Sequence, residues 1–230
     1  MLVILVAFYF IVRFPSTTIA VISGVSGWLL LLVQIMYKKW EWFYLLIQKI
    51  KVIFYPDTDW NLSIRYEVVN VDIDIFDVID RQMLEKHQDK ALKIQILDHS
   101  THEYRMKGMT LRVYYNNPEE IELQILDMSV SYQKAVYTLN RIIDPLLTEI
   151  SGILRPKSIR YYFQIEFDGA RNPYYGLYIQ RLSGRDVTHM EIIFNIYESE
   201  IELHKNSLTI KARSFGELMD LSKQYLLLSS

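Results

Sequence analysis

The stretch Ser158-Ile159-Arg160-Tyr161-Tyr162-Phe163-Gln164-Ile165-Glu166-Phe167 sets Tyr161, Phe163, Ile165 and Phe167 against Tyr162, Gln164 and Glu166 in strict alternation. A period of two is the mark of a strand with one buried face. Its opening has an earlier counterpart, because Ser63-Ile64-Arg65-Tyr66 recurs as Ser158-Ile159-Arg160-Tyr161. A second pair of matches sits further on, where Ser131-Tyr132 parallels Ser214-Phe215. These matches leave two readings open: chance identity, or a duplicated strand-rich and helix unit over 60–152 and 157–228.

Working outward, Ile64, Tyr66 and Val68 alternate with Ser63, Arg65 and Glu67. The phase slips at Val68-Val69, which predicts a bulge with Val71, Ile73 and Ile75 continuing the strand. Residues 76–88 read as a helix, and strands are predicted over 91–97, 105–115 and 121–128, with Asn116-Asn117-Pro118-Glu119 as a turn. After Ser131, the residues Val136, Leu139, Ile143, Leu146 and Ile150 mark one face of a long helix. Gly152 and Pro156 are expected to end it. Further strands are predicted over 174–182, 188–197 and 201–212, followed by a helix that Ser214 opens, with Phe215, Leu218, Leu221 and Tyr225 on one face. The expected fold class is α+β: N-terminal transmembrane helices, then a mostly antiparallel β domain over 57–230 carrying two long helices. That order resembles, in topology alone, the saddle of the TATA-binding protein.

Charge is unevenly spread. Residues 1–37 carry only Arg13, and 38–55 hold Lys38, Lys39, Lys49 and Lys51 against Glu41. The remainder has 20 basic and 26 acidic residues, a balance that argues against wrapping a nucleic-acid polymer. Residues 17–37 are uncharged and mostly apolar, long enough on paper to span a bilayer as a helix. Gly24, Ser26 and Gly27 would let membrane helices approach closely. Residues 1–12 are also apolar but too short to span alone. A short first helix of a hairpin is the preferred reading, beside a re-entrant piece or a cleavable signal. Residues 38–56 then read as an amphipathic, interfacial joint. Basic residues after the last span place the C-terminal domain in the cytosol, beneath an inner membrane. With no cysteine in the chain, disulfide scaffolds and thiolate metal sites are excluded.

No motif for catalysis is evident: there is no Walker A run, no nucleophile elbow and no His-Glu-x-x-His. His99-Ser100-Thr101 is half of a paired His-x-Thr signature, but no second copy follows and a solvated turn is the expected reading. Asp72, Asp74, Asp77 and Asp80 are read as solvated carboxylates, not as metal ligands. No catalytic residue, metal or cofactor is expected. The candidate ligand-binding residues are Arg171, Tyr174 and Tyr175 in the turn 168–176, with Arg181 and Arg185 after it. Arginine takes phosphate bidentately and tyrosine stacks on a nucleobase.

The outline of two membrane passages, an aromatic-basic joint and Pro56-Asp57-Thr58-Asp59-Trp60-Asn61-Leu62 leading into a β-rich domain resembles the small effectors of CBASS and related antiphage systems. Membrane-anchored cyclic-oligonucleotide effectors of type III CRISPR systems share the same logic. The resemblance implies a cyclic nucleotide or oligonucleotide ligand, a homo-oligomer, and disruption of the inner membrane on assembly. The rival expectation is a constitutive membrane-anchored adaptor or scaffold that binds a protein partner.

Overall fold

The structure is a computed structural model that describes residues 15–54, 57–87, 92–131, 134–167, 172, 174–175, 178, 191–196 and 198–226. The chain divides into two compact units, Met1–Ile47 and Gln48–Ser230.

The described part of the first unit is helical. Helix α1 covers Pro15–Lys39 and α2 covers Glu41–Phe54, the latter running on into the second unit. Trp40 separates them, yet the hydrogen-bond ladder passes through it. Its N–H donates to Met36 O at 2.9 Å, and the Tyr44 N–H donates to Trp40 O at 3.0 Å. Trp40 stacks on Trp42 with ring centroids 5.8 Å apart.

The expected membrane anchor is overturned here. Among the described residues, no helix is long and apolar enough to cross a membrane. The described side chains of α1 begin at Val25. The expected N-terminal transmembrane helices and inner-membrane location are therefore withdrawn. The first half of the expected hairpin, residues 1–12, lies outside the described residues. The small residues Ser26 and Gly27 sit on exposed helix surface, and a Cβ added at Gly27 would meet nothing within 4 Å. Leu29, Leu30, Leu31 and Leu32 are each more than half exposed.

The second unit is built on one antiparallel sheet. Its strands are β1 (Asp57–Glu67), β2 (Lys93–Asp98), β3 (Thr101–Met106), β4 (Met109–Asn117), β5 (Glu120–Ser131), β6 (Ser158–Phe167), β7 (Ile192–Ile196), β8 (Ser199–Leu203) and β9 (Ser207–Ala212). They lie in the order β2-β3-β4-β5-β1-β6-β9-β8-β7. The order is mirrored about the central pair: outward from β1 and β6 come β5 and β9, then β4 and β8, then β3 and β7. In the β1–β6 ladder Arg65 lies opposite Arg160. The residues that alternate in sequence alternate in burial, so Trp60, Leu62, Ile64 and Tyr66 of β1 face the same core as Tyr161, Phe163, Ile165 and Phe167 of β6.

Helices close that face. Helix α3 (Ile75–His87) turns Phe76, Ile79 and Met83 inward. A second helical run comprises α4 (Ala135–Thr138), a π-helical turn (Leu139–Ile143) and α5 (Asp144–Leu154), and it buries Leu139, Ile143, Leu146, Leu147 and Ile150. Helix α6 (Phe215–Leu226) packs against β9 and β6. Its start is as expected: the Glu217 N–H donates to Ser214 Oγ at 3.2 Å, an N-cap.

Several local readings are corrected. The β1 strand stops at Glu67, and Val71 and Ile73 belong to a connection rather than to a strand. Asn70 there takes a positive φ of 50°, which reverses the chain before α3. The run 105–115 is two strands joined at Lys107-Gly108, and 201–212 is likewise split around Lys205-Asn206. Tyr174, Tyr175 and Tyr178 are helical, not in a strand. The end of α5 is made by Arg155, at φ 45°, with Gly152 left inside the last turn.

Candidate functional site

A cleft of about 990 Å³ opens in the second unit between the β3–β4 turn, the far end of β5 and the α4–α5 run. Three local irregularities build it, and each has a cause in the sequence. The β3–β4 hairpin turns through Lys107-Gly108, with Gly108 at φ 85°, a conformation that glycine adopts without a Cβ clash. In β5 the burial parity changes: Ile121, Leu123 and Ile125 face inward, then Met128 and Val130 do. The register with β1 jumps from Trp60↔Met128 to Leu62↔Ile125, and Asp127 takes φ 57°. This is a β-bulge, and it re-aims the end of the strand. The third irregularity is the π-helical turn, which immediately precedes α5 with its proline at the first turn. Pro145 has no N–H to give and its ring crowds the carbonyl of Arg141, so the turn widens.

The helical wall shows the cleft one face, with Thr138, Arg141, Ile142, Pro145, Leu146 and Glu149 recurring at spacings of three and one. Met106, Met109 and Met128 line it from the sheet side, the last two buried. Five cations border it: Lys93, Arg105, Lys107, Lys134 and Arg141. Among the described residues, the carboxylates that line it are Asp57 and Glu149. Arg105 is engaged, its Nε 2.6 Å from Glu103 Oε1. Among the described residues, Lys93, Lys107, Lys134 and Arg141 make no ion pair. A basic cleft on a unit of net negative charge is a local exception, and like charges gathered there raise the potential for an incoming anion.

Glu103 anchors the strand beside the cleft. Its side chain is 1% exposed, and Arg112 Nε and Arg105 Nε each approach it at 2.6 Å. Hydrogen bonding from Arg112, and then from Arg105, holds its carboxyl below the usual glutamate value. A lowered folded pKa contributes stability that is complete above the unfolded value of 4.5 and is lost as pH falls through the folded value. Glu103→Gln is therefore expected to cost a constant amount at neutral pH. Urea melts against pH should show the gap to wild type closing below about pH 4.5; a gap independent of pH would refute this.

Of the residues singled out from sequence, the two that the structure describes, Tyr174 and Tyr175, are not among those lining the cleft. Arg171, Arg181 and Arg185 lie outside the described residues. Asn172 is fully buried and bonds to the β8–β9 turn. Its N–H donates to Lys205 O at 2.8 Å, its Nδ2 donates to Ser207 O at 2.9 Å, and its Oδ1 accepts the Tyr174 N–H at 3.0 Å. Tyr175 is 6% exposed and Tyr174 packs on the core. Neither lines the cleft. The sequence reading missed the cleft cations, which share no motif. The signal it passed over was the slip in apolar spacing from Ile125 to Met128.

The histidine and aspartate groups resolve as structural. Ser100 donates from both N–H and Oγ to Asp98 Oδ1, at 2.7 and 2.8 Å, so His99-Ser100 is a turn. His102 is buried, stacked on Phe76 with centroids 4.0 Å apart, and its Nδ1 lies 3.2 Å from Asp80 Oδ1. The Tyr104 hydroxyl donates to the same oxygen at 2.6 Å. Burial and then Asp80 push that hydroxyl's pKa up. The cluster ties α3 to β3. Asp72 Oδ1 accepts the Ile73 N–H at 2.6 Å at the entrance to α3. Among the described residues, no group of three or more His, Asp or Glu is placed to hold a metal ion. No known family model matches this sequence, and no curated protein matches it.

Proposed function

We propose that this chain is a ligand-sensing effector whose second unit binds a small anion of the nucleotide class in the basic cleft and responds by self-association. The observation that carries this reading is four cations without ion pairs among the described residues, bordering one cleft of an otherwise acidic unit. Lys and Arg are the natural phosphate partners. The volume suits a small ligand better than a polymer. The methionines offer polarisable, adaptable surface to a flat base, and sulfur–aromatic contacts are favourable. Among the described lining residues there is no histidine, and binding without chemistry is the simplest role for this set. The exposed leucines of α1 are a natural surface for assembly, since contiguous apolar surface marks interaction sites.

The test is the full chain against cyclic di-GMP, cyclic di-AMP, cyclic tetra-adenylate and linear oligoadenylates. At a hundredfold excess over Kd a ligand adds about 2.7 kcal/mol, a rise in melting temperature of about 5–10 °C. Light scattering should report a larger species with the same compound. If no member moves either quantity, the reading fails.

A second reading, a scaffold for a protein partner, is favoured by the edge strand β2, where Ile96 is 65% and Leu97 44% exposed. Such an edge can accept an added strand. Recovery of one stoichiometric protein partner, together with indifference to nucleotides, would favour it.

A further inference from the structure

We infer that Glu149 selects the ligand in this cleft by accepting a hydrogen bond from it, so that the ligand must carry a donor as well as its anionic group. This deepens the receptor reading and rests on it. The Glu149 side chain is 9% exposed, and it lines the cleft. Its two oxygens differ. Oε2 faces Lys86 Nζ at 3.4 Å. Oε1 is buried and has no hydrogen-bond partner among the described residues. An acceptor removed from water without a donor destabilises the empty protein, and the loss is recovered when a donor arrives.

Position along the helical wall fixes the orientation. Lys134 and Arg141 lie toward the start of the wall, and Glu149 lies two turns beyond Arg141, ~12 Å along the axis. A phosphate is attracted to the first end and repelled by the carboxylate at the second. Inorganic phosphate or pyrophosphate satisfies the cations and leaves Oε1 bare. A nucleotide satisfies both, with its phosphate among the cations and a ribose hydroxyl or a base N–H on Oε1. Ile142, Pro145 and Leu146 lie between the two ends, where the apolar part of the nucleoside would rest. The shared chemistry is thus a phosphate ester with a neutral donor held at a distance.

The experiment measures binding to the full chain by calorimetry, using cyclic di-GMP, cyclic di-AMP, their 2′-deoxy forms and pyrophosphate. It compares wild type with Glu149→Gln and Glu149→Leu. The expected result is at least a tenfold loss of cyclic dinucleotide affinity in Glu149→Leu and a smaller loss in Glu149→Gln, whose amide oxygen still accepts, with pyrophosphate binding as strong as before or stronger. A 2′-deoxy form that loses as much in wild type identifies the hydroxyl as the donor; one that binds as well as its parent identifies the base edge. The melting temperature of unliganded Glu149→Leu is expected to equal or exceed that of wild type, because the orphaned oxygen is gone. A cyclic dinucleotide affinity within twofold of wild type in Glu149→Leu overturns the inference and leaves the receptor reading standing. A fall of several degrees in unliganded Glu149→Leu also overturns it, by marking Glu149 as structural. No binding of either cyclic dinucleotide to wild type overturns it together with its assigned ligand class.

Discussion

Lys134→Glu combined with Arg141→Glu is expected to weaken nucleotide binding about 100-fold or more. Each lost contact to a phosphate is a charge-assisted hydrogen bond worth about 1.5–3 kcal/mol, and reversal adds repulsion. The two side chains are exposed and unpaired among the described residues, so the empty protein should melt within a few degrees of wild type. That separation of effects is the point of the pair. The check is calorimetric affinity at two salt concentrations alongside a melting curve. Wild-type affinity in the folded double variant would remove the cleft from consideration as the ligand site.

Trp60→Ala carries the largest expected effect on stability. Trp60 is fully buried in the central strand. Its ring meets Phe163 edge-on with centroids 5.1 Å apart, and its Nε1 donates to Thr58 Oγ1 at 2.8 Å. Thr58 Oγ1 donates in turn to Val130 O at 3.0 Å, next to the bulge in β5. Removing a buried aromatic ring costs about 3–5 kcal/mol, a large share of a typical total of about 5–15 kcal/mol. The melting temperature should fall by about 10 °C or more. Trp60→Phe keeps most of the packing and loses the hydrogen bond, so a cost near 1 kcal/mol is expected. Urea titration of the three proteins decides the matter, and equal losses in both variants would show that the hydrogen bond, not the ring, is what matters.

Where the signal is local, the sequence was legible. The strict alternation in 158–167 is the β6 strand, with the expected residues inside. The helix read over 76–88 is found at Ile75–His87. Ser214 caps α6 as its position suggested. Turns within apolar runs were harder. Lys107-Gly108 interrupts a run whose flanks both read as strand, and only the positive φ at Gly108 reveals the hairpin. The Val68-Val69 slip was mistaken for a bulge because apolar residues continue beyond it. The real bulge lies at Leu126-Asp127, opposite Asn61 on β1. The apolar run at 17–37 suggested a membrane span, and no described helix is long and apolar enough to be one.

The candidate site was least legible of all. Choosing Arg171, Tyr174 and Tyr175 followed the chemistry of one loop. In the fold Tyr175 is buried and Asn172 bonds to the β8–β9 turn, while Arg171 lies outside the described residues.

By itself the sequence determined which residues alternate, which recur at helical spacing and where helices start, because those depend on neighbours a few positions apart. Only the tertiary structure decided that β1 lies between β5 and β6 and that Lys93, Lys107, Lys134 and Arg141 border one cleft with Glu149. Strand pairing and the convergence of distant charges depend on which apolar faces bury one another, and that free energy belongs to the assembled core rather than to any segment of it.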